Sequence, residues 1–132
     1  MSSLHDSLLT GYTVDGTART VVLRTEPHQG DGISAEVKFS GVVAYHFEGD
    51  CLQNIIFEIT EVPPESVVGD GAAAEERFRQ RGWPRGWEPG REDLAQFLRR
   101  QGCRCFELSS SYGISGWIAA REMDVLRADE AR

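Results

Sequence analysis

Between Phe39 and Glu76 the sequence has no lysine or arginine, and Lys38 is its only lysine. Cysteine is scarce: Cys51, Cys103 and Cys105 are odd in number and are not spaced as a disulfide framework. No apolar run approaches the roughly 20 residues a membrane-crossing helix needs. The start, Met1-Ser2-Ser3-Leu4-His5-Asp6, lacks the basic segment and apolar stretch of a signal peptide. A disulfide-stapled secreted scaffold and a helical membrane protein are therefore not expected, and a reducing cytoplasm is the expected location. Motifs of common chemistry are missing as well. There is no phosphate loop, no C-x-x-C pair and no G-x-S-x-G elbow. No cofactor is called for.

What is present is charge, arranged in blocks. The cation-free stretch holds Glu48, Asp50, Glu58, Glu61, Glu65, Asp70, Glu75 and Glu76. From Arg77 to Arg104 the sign reverses, with eight arginines against Glu88, Glu92 and Asp93. Such segregation acts on partner choice and encounter rate rather than on fold. It predicts an acidic face and an Arg-bearing element. The net charge of −7 disfavours nucleic acid and anionic membrane, both of which reward cationic surfaces, and favours a basic protein partner. The excess of arginine over lysine reads as a composition bias of the genome. Forty per cent hydrophobic and 27% charged residues suit one globular domain over residues 1–132, with a polar tail from about 124.

Hydropathy alternates with period two through most of the first half. Residues 12–14 run into Asp15-Gly16, a dipeptide that favours a hairpin turn, and 18–26 follow up to Pro27. Ile33, Ala35, Val37 and Phe39 alternate with polar residues. Residues 42–48 and 51–62 are strands joined at Gly49-Asp50, and they are expected to pair as the hairpin at the centre of the sheet. In the former, Tyr45 and Phe47 oppose Ala44, His46 and Glu48. Pro63-Pro64 ends the latter. A helix is expected from Asp70 to Arg81, closed by Gly82, and a second over 91–101, with Leu94, Phe97 and Leu98 on one stripe. Strands return at 103–109 and 117–121, with a turn over 110–116. The fold class is α+β: a mainly antiparallel sheet of about six to seven strands, with two helices inserted before the last strands.

Four clusters are candidate sites. His46, Glu48 and Asp50 form H-x-E-x-D, and period two puts all three on one strand face if the strand persists, a pattern that suits a divalent metal. The same alternation also describes the wet face of a half-buried strand. Cys103 and Cys105 share a face, where they behave as small apolar residues. The serine-rich loop Ser109–Ser115 offers hydroxyls for a pocket, although a tight turn explains the composition as well. Trp83 and Trp87 bracket Arg85: either both rings plug the core edge, or one stays out as an aromatic–arginine anchor.

Two segments, Gly41-Val-Val-Ala-Tyr-His-Phe-Glu-Gly-Asp50 and Phe106-Glu-Leu-Ser-Ser-Ser-Tyr-Gly-Ile-Ser-Gly-Trp117, resemble those of small uncharacterised bacterial proteins. Several of these are similar in size and acidity to immunity proteins of bacterial toxin systems. The resemblance implies a cytoplasmic protein that binds one partner protein and does no chemistry. The leading expectation is therefore a noncatalytic binding domain that meets a basic partner through Glu48, Asp50, Glu58 and Glu61, with Trp83, Arg85 and Trp87 as further contacts. The alternative is a small-molecule or metal-binding protein with a polar pocket around His46, Glu48, Asp50 and the serine loop.

Overall fold

A computed structural model describes residues 4–67, 84, 86–88 and 90–127 of the chain. Five strands come first: β1 (Leu8–Asp15), β2 (Thr20–Glu26), β3 (Ala35–Ser40), β4 (Ala44–Glu48) and β5 (Asn54–Val62). A single helical turn, α1 (Pro64–Val67), and the helix α2 (Leu94–Arg100) precede β6 (Arg104–Tyr112), β7 (Ser115–Ala120) and β8 (Glu122–Arg127). The α+β character and the antiparallel sheet are as expected. Among the described residues the strand count is eight rather than about six to seven. The added strand is β8, where a polar tail was expected: Met123, Val125 and Arg127 alternate with exposed Glu122, Asp124 and Leu126. The helix expected over 70–81 lies outside the described residues. Among the described residues no helix is long and apolar enough to cross a membrane.

Strand order is β4-β7-β6-β5-β1-β2-β3-β8, antiparallel throughout. The two end strands are continuations of neighbours: β3 bends through Gly41 (φ +64°) into β4, and β7 passes through Arg121 into β8. Pairing carries across the bend, since Arg121 N–H donates to Ser40 O at 3.0 Å and Val43 N–H to Ala119 O at 2.9 Å. The circuit of ladders therefore closes. With β3–β4 and β7–β8 each counted as one, the eight strands make a barrel of six staves. Closure disposes of most unpaired edge, the usual hazard of an all-antiparallel sheet.

Each stave sends a side chain inward: Leu9, Leu23, Val37, Ile56, Phe106 and Ile118 are at most 2% exposed. Phe39 and Phe106 meet across the interior with ring centroids 5.4 Å apart. A second core lies outside the wall. There Leu94, Phe97 and Leu98 of α2, with Trp87, cover Ala44, Cys105, Trp117 and Ala119. Asp93 starts α2 with a capping box: its carboxylate accepts the Gln96 N–H at 2.8 Å, and the Gln96 side chain accepts the Asp93 N–H at 3.2 Å. β7 is thus buried on both faces, which explains the small Ala119 and Ala120 at its end.

The expected β4–β5 hairpin is not formed. β4 pairs with β7, and β5 with β1 and β6, so the β6–β7 hairpin stands between them. The agent is Asn54, 3% exposed, whose Oδ1 accepts the Ile114 N–H at 2.8 Å and the Cys51 N–H at 3.2 Å. One buried amide ties the 49–53 loop to the tip of a hairpin made 60 residues later. A tertiary bond of that kind outranks the local turn signal of Gly49-Asp50.

Candidate functional site

The registers of β5, β6, β7 and β4 fix three rows of outward side chains. The first row, Val62–Cys105–Ala119–Ala44, is apolar and belongs to the core beneath α2. The second is Thr60–Glu107–Trp117–His46. The third sets Glu58 beside Ser109 and Ser115 beside Glu48, with Ser109 and Ser115 one step beyond the Leu108–Gly116 pair. Going away from α2, the face therefore changes from apolar to polar and acidic. Glu48, Glu58 and Glu107 are all exposed. None of the three has an arginine or lysine within ion-pair distance among the described residues. His46 Nε2 lies 3.6 Å from Glu48 Oε2 on the same face of β4.

Glu48 and Glu58 sit at opposite sides of this patch, three strand spacings or roughly 14 Å apart. The groups are spread over a sheet rather than gathered in a cleft. Asp50, expected on the same face as His46 and Glu48, instead organises the 50–54 turn. Its Oδ1 accepts the Leu52 N–H at 2.9 Å and the Asn54 side-chain amide at 3.0 Å, and its Oδ2 accepts the Tyr12 hydroxyl at 3.2 Å. These bonds, the Asn54 amide foremost, hold the Asp50 carboxyl below its ordinary pKa. Burial, then the Asp50 carboxylate, pushes the Tyr12 phenol up. The H-x-E-x-D pattern therefore does not converge as a ligand set. Among the described residues no three His, Cys, Asp or Glu side chains gather where they would hold a metal.

Folding cancels much of the linear charge segregation at the other end of these strands. Arg104 chelates Glu61 through Nε at 3.2 Å and Nη2 at 2.8 Å, and its guanidinium lies 5.2 Å over the Phe106 ring. Arg99 grips Glu65 through Nε at 3.1 Å and Nη2 at 2.6 Å, and Arg100 grips Glu92 with Nη2 at 2.7 Å. Hydrogen bonds from these guanidiniums hold Glu61 and Glu65 below the ordinary carboxylate range. Glu61 is therefore engaged within the chain, unlike Glu48 and Glu58.

Beside these pairs a cleft of about 390 Å³ is lined by Glu61, Pro63, Arg99, Cys103 and Arg104, among others. Burial raises both thiols that reach it, Cys105 to about 12, so neither is a nucleophile near neutral pH. Trp83 and Arg85 lie outside the described residues. Trp87 is 8% exposed and its indole N–H donates to Glu92 O at 3.1 Å, which places it in the second core. The serine loop is shorter than its composition implied: Ser109, Ser110 and Ser111 belong to β6, leaving Gly113 and Ile114 as the turn. The Ser110 hydroxyl donates to Ile114 O and closes it.

Glu107 of the patch and Leu52 of the 49–53 loop were not among the expected residues. Glu107 was legible as an outward position once Cys105 was assigned to its face, but its place between β4 and β5 depends on strand order. Leu52, 93% exposed with φ +70°, had no sequence signal, because an isolated leucine after a turn carries no period. Neither the protein-family models nor the curated proteins searched contain a match to this chain.

Proposed function

We propose that the chain is a noncatalytic cytoplasmic domain that binds one basic protein, as immunity proteins of bacterial toxin systems do, through the outer face of β5-β6-β7-β4. The observation that supports this most is the set of Glu48, Glu58 and Glu107 on one open face, exposed and without an arginine or lysine in ion-pair range among the described residues. Carboxylates left unneutralised beside a wall of chelated arginines set up a directional field. Such a field accelerates encounter with a cationic partner and weakens as salt rises. Among the described residues the face is open and holds no convergent nucleophile, base and orienting group, which is the arrangement hydrolytic catalysis needs. The metal-site reading receives no comparable support, since Asp50 is spent on the turn.

The test is affinity capture at about 50 mM and about 500 mM salt, two sides of the range where the Debye length falls below 10 Å. It is run with the natural chain and with the triple reversal Glu48→Arg, Glu58→Arg, Glu107→Arg. A basic protein retained at low salt by the natural chain, and lost both at high salt and on reversal, supports the proposal. Capture indifferent to both changes overturns it.

A further inference from the structure

Resting on that protein-binding reading, we infer that Leu52 is the apolar anchor of the interface, received by a partner pocket rimmed with arginine or lysine. Leu52 is 93% exposed, more than any other large apolar side chain among the described residues. Its backbone is also held. Its φ of +70° belongs to the left-handed region that a leucine enters only under constraint. Asp50 Oδ1 accepts its N–H at 2.9 Å, Asn54 grips Asp50 at 3.0 Å, and Asn54 is itself pinned to Ile114 at 2.8 Å. A loop fixed to the barrel through a buried amide holds the backbone that carries this leucine in one geometry. Among the described residues nothing gains from that, whereas an anchor whose backbone is fixed before contact loses less entropy on docking.

The surroundings select the occupant. Tyr112, 58% exposed, stands across from Ile55 at the same end of the sheet, and Phe57, 45% exposed, follows two residues along β5. Carboxylates of Glu48, Asp50 and Glu58 accompany this apolar tip, and no lysine or arginine occurs in the sequence from Phe39 to Glu76. A second copy would bring like charge against like charge, and so would nucleic acid or an anionic membrane. The complement is a cationic protein surface with a hydrophobic recess. An apolar centre fringed by charge is the common anatomy of an energetic interface.

The experiment places the photocrosslinker benzoylphenylalanine at position 52, or at the exposed Leu126 of β8 as a control, in the full chain expressed in its own cells. The crosslinked protein is then purified and titrated with the natural chain, Leu52→Asp and the Glu58→Arg, Glu107→Arg pair. The expected result is one adduct from position 52 and none from 126. Affinity should fall about 10- to 100-fold for Leu52→Asp, the equivalent of losing one buried leucine, with an unchanged melting curve. Salt-sensitive capture that persists in Leu52→Asp, with no adduct at 52, overturns the anchor and leaves the acidic face standing. An adduct whose affinity ignores both salt and the reversed pair keeps the anchor and overturns the acidic face. Absence of both adduct and capture overturns both.

Discussion

A leucine in water at φ +70° is held there against its own preference, and that conflict can be measured. Glycine adopts the left-handed region without penalty, so Leu52→Gly should raise stability by about 1 kcal/mol while weakening partner binding. Urea denaturation and a binding titration on the same sample check the two halves, and a loss of stability would show that Leu52 is not strained. Asn54 works in the opposite direction. It is 3% exposed and bonded to Cys51, Ile114 and Asp50, so Asn54→Ala leaves the buried Ile114 N–H and the part-buried Cys51 N–H unpaired and should cost about 2–3 kcal/mol. Little of this was readable beforehand. The Gly49-Asp50 signal located a turn, but the side chains that lock it draw on a residue 60 positions away.

At the scale of elements, local periodicity was a good guide and partnership was not. Alternation located β3 through β5, and a three-residue stripe located α2, because each of these elements buries one face. Registers among β4, β5, β6 and β7 follow from tertiary bonds, so the row that joins Glu48 to Glu58 through two serines had no linear trace. Gly116 illustrates the constraint. A methyl group there would overlap the carbonyl oxygen of His46 on the facing strand, so only glycine lets β4 and β7 approach. Gly116→Ala should cost about 1–3 kcal/mol or more, as overpacking does. Hydrogen exchange should accelerate first in β4, which has no other strand to hold it among the described residues. Uniform acceleration through the barrel would contradict that order.

For the molecule as a whole, the sequence conveyed a net charge of −7 but not how it is distributed. Arg99, Arg100 and Arg104 spend themselves on Glu65, Glu92 and Glu61, leaving the distal acids uncompensated. Acid should therefore unfold the protein in a particular window. Asp50, Glu61 and Glu65 have folded-state pKa values below their ordinary 3.8, 4.5 and 4.5. Their contribution is complete above the ordinary values and is lost as pH falls through the depressed ones. Stability should hold from neutral pH to about pH 5 and then decline, with Glu61→Gln and Glu65→Gln flattening the fall. The urea midpoint followed against pH checks this, and a midpoint that begins to fall near pH 7 would assign the sensitivity to other groups. Tyr12, raised above 10.0, acts at the other limit: its contribution is complete below that value and is lost on further titration.

Barrel closure also sets an order of events in time. β3 pairs with β8 and β4 with β7, so the strands that seal the wall leave the ribosome after β1 to β5. A nascent chain that has reached Val62 has β1, β2 and β3 ready to pair, yet β4 and most of β5 have no neighbour. Those edges stay open to other chains until residues 104–127 arrive, at synthesis rates of about 5–20 residues per second. Long-range pairing of this kind is slow to nucleate. A premature stop after residue 103 would therefore release a sticky half-sheet rather than a smaller working domain.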